Sequence, residues 1–253
     1  MDEMTVRHML TDDLLRLGLR RGGVVLAHSS LRSLGKLPDR AETVVQALID
    51  ALGPSGTLLM PALSYLHVGP DQPAFDVLRT PSNVGALPEY FRTRNGSLRS
   101  LHPTHSVCAV GPDSCAFLGK HHLDNTPCGP HSPFRLLRDA GGQILFIGCG
   151  LTPNTSMHGV EELVEPPYLF RESSVYQLRD ADNHVIEITM RNHDFKGCAQ
   201  RYDRLEDVLD GSELRKGLIL SATCHLIECK CMWAKAQRAL QANPLFFVEH
   251  TDS

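Results

Sequence analysis

The sequence predicts an α/β fold: a central, mostly parallel sheet flanked by helices, with an antiparallel hairpin appended late in the chain. Three observations carry this. Between residues 24 and 61 a short apolar run, an amphipathic stretch and a second apolar run follow one another, the order of a βαβ unit. The helix-to-strand step recurs over 132–150. From about residue 171 the pattern changes to two strand-like runs around "DADN", a hairpin signal.

Taken in order, Val6, Met9, Leu10 and Leu17 mark one side of a helix over residues 5–18, with Thr5 as its candidate cap and "RRGG" as its end. "VVLAHSS" (24–30) reads as a short buried strand ending in small polar residues. "AETVVQALIDALG" (41–53) is an amphipathic helix stopped by Gly53, and "GTLLMPALS" (56–64) is the second strand. A strand, a helix and a strand in succession predict a parallel pair. "PSNVGALPEYFRTR" (81–94) reads as a helix interrupted by Pro88, and "THSVCAVG" (104–111) as a strand. "SPFRLLRDAGG" leads into the strand "QILFIGCG", and "NTSMHGVEE" (154–162) opens another helix. The short strands suit a sheet covered on both faces. Beyond the hairpin, helical patterns are expected at 199–210 and 221–241, with "PLFFV" (244–248) as a last strand. No repeat or linker divides the chain, so residues 1–253 read as one domain carrying the hairpin of 171–198.

The chain has 42% hydrophobic and 21% charged residues and a net charge of -4, the composition of a globular protein without a basic footprint for nucleic acid. The amphipathic, acidic start is not a signal peptide, and no run approaches the roughly twenty apolar residues of a membrane span. A cytoplasmic monomer or homodimer without nucleic-acid or membrane partners is expected. Eight scattered cysteines are expected to stay reduced. "CHLIECKC" could bring Cys224, His225, Cys229 and Cys231 together, but its spacing matches no zinc pattern and it lies within helical periodicity; no metal is expected.

Three strand-to-loop corners, "HSSLRSLG" (28–35), "MPALSY" (60–65) and "HPTHSVCAVG" (102–111), carry small or imidazole side chains where ligands of open α/β sheets collect. In an arbitrary chain Ser29 and Ser30 are as often simple caps. His158, Glu161 and Glu162 stand at i, i+3 and i+4 of one helix, so either carboxylate can fix the imidazole tautomer while the other ring nitrogen takes a proton. A surface His–Glu pair is the ordinary alternative. No G-x-S-x-G elbow, H-E-x-x-H helix, Walker loop or G-x-G-x-x-G turn is present, whereas the thirteen histidines leave a metal-dependent hydrolase open.

The series "LAHSSLRSLG", "GPSGTLLMPALSY", "TPSNVGALPEYFR", "SLHPTHSVCAVGP", "GPHSPFRLL", "GGQILFIGCG", "NTSMHGVEE" and "YDRLEDVL" closely resembles the aminoglycoside 3-N-acetyltransferase, or antibiotic N-acetyltransferase, family in order from about 5 to 248. That family is distinct from the GNAT acetyltransferases. The resemblance implies acetyl-CoA as co-substrate and an amine acceptor, the 3-amino group of a 2-deoxystreptamine ring. It implies His158 as general base and Glu161 as its orienting carboxylate. It places His28, Ser29, Ser30, Leu31, Met60, Pro61, His105, Ser106 and Val107 on the coenzyme A side of the cleft. A polycationic acceptor asks for carboxylates, and Asp76, Glu162 and Asp194, with His193 from "RNHDF", are the expected substrate contacts; Asp124 and Glu165 are further candidates. The chain departs from the family in lacking the glycine pair at "KLPDRAET", in Gly159, and in the paired prolines of "LVEPPYLF". These departures leave open another amino sugar or amine as acceptor. A coenzyme A-binding protein without catalysis is the non-enzymatic alternative.

Overall fold

The computed structural model describes residues 2–195 and 197–251. Asp2 caps α1 (Glu3–Leu17) by accepting the Thr5 amide, and Gly18, at φ 108, closes it. There follow β1 (Val24–Ser29), a 3-10 turn (Leu31–Leu34), α2 (Arg40–Leu52), β2 (Thr57–Pro61), β3 (Ala74–Asp76) and α3 (Ala86–Thr93). Pro88 lies in the first turn of α3, where its missing N–H is not needed, so the expected interruption does not occur. Next are β4 (Leu98–Arg99), β5 (Val107–Val110), α4 (Ser114–Leu118), α5 (Pro133–Asp139), β6 (Gln143–Ile147), α6 (Ser156–Val164), β7 (Phe170–Arg179), β8 (Val185–His193) and β9 (Cys198–Gln200). A 3-10 turn (Tyr202–Asp207), β10 (Leu214–Ile219), β11 (Ala222–Glu228), α7 (Cys229–Ala242) and β12 (Val248–His250) complete the chain.

The main sheet has the order β10-β11-β6-β1-β2-β5-β4. Its centre is parallel: β1 pairs with β2 and β6 in that sense, as the βαβ pattern predicts, and the flanking strands add antiparallel on each side. Alternation along the strands sends Val25, Ala27 and Met60 toward α1, α2 and α3, and Leu26, Leu59 and Phe146 toward α4 to α7. His28 follows the second set, which puts it on the same face as α6 and stacks it on Phe146 at 5.0 Å. The β7–β8 hairpin forms where expected, and β3 joins it in parallel to make a separate three-stranded sheet.

Residues 221–241 are not one helix. Ala222–Glu228 is β11, inserted between β6 and β10, and only from Cys229 does α7 begin. A strand buried on both faces lacks a clean two-residue period, so its apolar run merges with that of the following helix. Cys224 then packs on one face of the sheet and Cys229 on the other, and "CHLIECKC" gathers no ligand set. Residues 199–210 hold β9 and a 3-10 turn rather than a helix, and the final strand starts at Val248.

Candidate active site at the head of α6

His158 is buried in the first turn of α6, at the carboxyl ends of β1 and β6. The helix presents Glu161 one turn later, and its carboxylate is fully buried. Glu161 Oε2 lies 3.2 Å from His158 Nδ1. Tyr202 Oη, from the 3-10 turn after β9, donates to the same oxygen at 2.8 Å and sits 3.0 Å from His158 Nδ1. Tyr168 donates to Glu161 Oε1 at 2.9 Å. The paired prolines explain how: α6 ends on Glu165 at φ 49, and Pro166 and Pro167 turn the chain so that Tyr168 folds back onto the helix. With a carboxylate at Nδ1 the ring proton belongs there, leaving the Nε2 lone pair free to take a proton.

Further imidazoles surround this ring. His105 and His193 stand 5.7 and 5.2 Å from His158, centroid to centroid, and 5.2 Å from each other, with Phe195 at 5.2 Å. Burial, then neighbouring imidazoles, hold His105 and His193 well below the ordinary histidine pKa, so both are neutral. His28 is pushed down to about 3 by burial and, secondarily, by the charge of His158, and its buried Nε2 has no partner. His193 donates from Nε2 to Glu162 at 2.9 Å and keeps Nδ1 unpartnered.

Glu162 does not face an acceptor as expected. It turns inward, accepting from Thr126 Oγ1 and Cys128 N at 2.7 Å each and from His193, with Arg135 at 3.8 Å. Its carboxylate anchors a loop and orients His193, and burial raises its pKa to about 7 against those bonds. Asp76 is not brought to the site either. It accepts from the amides of Leu78 and Arg79, and its register opposite Arg179 puts it at the turn end of the hairpin. His193 is at the other end, paired with Phe170, about 30 Å away for a strand of this length. Asp194 is exposed immediately beyond β8, beside His193. Of the other carboxylates, Asp124 accepts from the His131 amide and ring, and Glu165 pairs with Arg191 at 3.2 Å.

A cleft of about 120 Å³ opens between the ends of β1 and β2 and the start of α6, lined by His28, Ser29, Pro61, Cys149, Pro153 and Thr155 among others. Three of the residues expected on the coenzyme side, His28, Ser29 and Pro61, thus line one cleft. Met60 and Val107 are core side chains, and Ser106 is spent on Ala62 O and Arg99 Nε at 2.8 and 2.9 Å. Ser30 ties its amide to Ile147, Leu31 packs on the helical core, and His105 faces His158 instead of the cleft. A larger groove of about 750 Å³ runs past Arg92, Ser97 and Leu118, but no imidazole of the His158 group lines it. The smaller cleft is the candidate site, since the unpartnered ring of His28 and Thr155 at the α6 terminus both line it.

Sequence reading missed Tyr168, Tyr202, Thr126 and Cys128, whose partners lie 7 to 44 residues away, and Cys149 and Thr155 in the cleft. Gly159 is explained by packing: a Cβ there would stand 2.7 Å from Cζ2 of Trp233 and closer still to Cη2.

Residues 26–241 match the aminoglycoside 3-N-acetyltransferase family. The chain belongs to that family. It is 32% identical over 241 residues to aminoglycoside N(3)-acetyltransferase IV of Salmonella sp, covering 94% of this chain and 88% of that one. The structure of AAC-IIIb as a binary complex with CoASH superposes with a TM-score of 0.81 at 27% identity, over 98% of both chains. A histidine-to-alanine mutant of AAC(3)-IVa in complex with a gentamicin gives 0.79 at 29% identity, over 95% of this chain and 90% of that one. Membership makes the chain an acyltransferase and sets aside the hydrolase and non-enzymatic readings.

Proposed function

We propose that this aminoglycoside acetyltransferase moves the acetyl group of acetyl-CoA directly to an aminoglycoside amine, the 3-amino group of the 2-deoxystreptamine ring, with His158 as base. The observation that carries this is the His158 imidazole, its Nδ1 against the buried Glu161–Tyr202 pair and its Nε2 without a protein partner among the described residues, in the first turn of the helix whose cap residue, Thr155, lines the cleft. Nε2 removes a proton from the acceptor ammonium, and the nitrogen lone pair attacks the thioester carbon. The tetrahedral intermediate then gives up the extra proton on its nitrogen and breaks the C–S bond, that proton passing to the departing sulfur, so that the amide and the free thiol are released and the imidazolium returns its own proton to solvent. Glu161 keeps the ring aligned and stabilises the imidazolium. Ser29, Pro61 and Thr155 would hold the pantetheine end, and the neutral His28 ring lies where a polar group of that arm can meet it. His193, with Asp194 at the open edge, fits the acceptor side. The family and the CoASH complex of a relative support the donor; the gentamicin complex of another supports the acceptor class.

A covalent acyl relay through Cys108 is not part of this route, because the thiol is fully buried in β5 and burial pushes it up to about 12. The enzyme is read as cytoplasmic and needing no metal; among the described residues no helix is long and apolar enough to cross a membrane. The test is thiol release from acetyl-CoA over a panel of aminoglycosides, for wild type and His158→Ala together. Turnover by the wild type should fall by about 10²–10⁴ in the variant while acetyl-CoA still binds. Equal turnover in both would remove His158 as base, and silence across the panel would move the acceptor to another amine.

A further inference from the structure

We propose that Tyr202 and Tyr168 are positioning residues that set the basicity of His158 by donating two hydrogen bonds to Glu161. The inference rests on His158 acting as the base. Each phenol has one proton to give. Tyr168 gives its proton to Oε1 at 2.9 Å and Tyr202 gives its own to Oε2 at 2.8 Å, so both oxygens of a fully buried carboxylate receive a neutral O–H donor. Having donated, Tyr202 presents a lone pair to His158 Nδ1 at 3.0 Å, while Oε2 stands 3.2 Å from the same nitrogen. The Nδ1 proton is therefore shared between two acceptors. The opposite arrangement, with Tyr202 donating to a bare Nδ1, would set two lone pairs against each other at the Glu161 contact. The phenols thus select the tautomer that leaves Nε2 unprotonated.

They also temper the pull of the buried Glu161 carboxylate on the ring. A buried carboxylate without donors is a strong base and would lock its partner as imidazolium, useless for taking a proton from an amine. Two O–H bonds spread that charge without adding a cation. Burial and the Glu161 charge hold both phenols above the ordinary tyrosine range, so they remain donors across the working pH. The remaining titratable groups packed around the pair are His28, His105, His193, Glu162, Cys128 and Cys198, and none changes in the variants below.

The experiment is the pH dependence of kcat/KM for Tyr202→Phe, Tyr168→Phe and the double variant, with folding checked by circular dichroism. Loss of a donor makes Glu161 more basic, so the imidazolium persists to higher pH and the acidic limb moves up, by about one pH unit for Tyr202→Phe. Tyr168→Phe, which touches only the far oxygen, should move it less, and the double variant more than either. kcat should fall about tenfold in Tyr202→Phe with KM for both substrates unchanged within about twofold. A 3-fluorotyrosine placed at 202 is a stronger donor of nearly the same shape, and should move the limb down; this arm holds even if the phenylalanine variants fold poorly. Limbs that stay at the wild-type position in every variant overturn the proposal. If His158→Ala is inactive in that case, the base assignment survives without it; if His158→Ala turns over normally, the base assignment itself has failed.

Discussion

Replacing Gly159 by alanine adds one methyl group, next in sequence to His158, against the only tryptophan of the chain. The new Cβ would lie 2.7 Å from Cζ2 of Trp233. That indole cannot retreat easily, since its Nε1 donates to Ser156 Oγ at 2.9 Å and Arg138 lies 4.8 Å over its ring. Forcing a methyl group into such a contact costs roughly 1–3 kcal/mol, and the rigid ring puts this case at the upper end. Gly to Ala in a helix returns about 1 kcal/mol. The net loss is about 2 kcal/mol, which for a chain of this size lowers Tm by roughly 4–8 °C. Because His158 is the adjacent residue, a shift of α6 by about 1 Å is also expected to lower kcat by about a hundredfold. Thermal melts, tryptophan fluorescence and thiol release measure the three effects. In a double-mutant cycle with Trp233→Leu the cost of the alanine should shrink by about 1–2 kcal/mol. A Gly159→Ala protein as stable and as active as wild type, with an unchanged emission spectrum, would refute the packing argument.

Other outcomes follow from the buried ionisable groups. Glu162 titrates near 7 in the folded protein against 4.5 when free, so its ionisation weighs on the folded state increasingly from pH 4.5 to 7, by up to about 3 kcal/mol. Glu162→Gln should therefore gain stability relative to wild type between pH 5 and pH 8 in urea melts; a constant difference would contradict this. His121, driven down to about 3 by burial, binds no proton in the folded state where the unfolded chain does, so stability complete above pH 6.5 is lost as pH falls toward 3. His121→Gln should flatten that decline by up to about one proton, read from denaturation midpoints at pH 7 and 4.5. Cys108→Ala should keep its turnover in the thiol-release assay, and its loss would reopen the acyl relay.

What the sequence disclosed was local. The βαβ unit, the hairpin around "DADN" and the His158–Glu161 pair each follow from periodicity or from an i, i+3 spacing within one element. What it concealed was long-range. Tyr202 reaches its partner across 44 residues, and nothing in "YDRLEDVL" distinguishes a buried phenol from an ordinary one. The direction of Glu162 was hidden for the same reason: a position on a helix fixes a face, whereas the Thr126–Cys128 loop that claims the carboxylate arrives from elsewhere. Asp76 looked suitable by charge alone, and only strand register reveals that it sits at the wrong end of the hairpin. β11 was lost because burial on both faces erases the alternation that marks a strand.

The β3–β7–β8 sheet carries its own small apolar nucleus of Val68, Phe75, Tyr176, Leu178 and Met190, separate from the two that flank the main sheet. Only its His193 end comes up to His158. Substitutions within this arm's own nucleus are thereby set apart from the packing that holds His158.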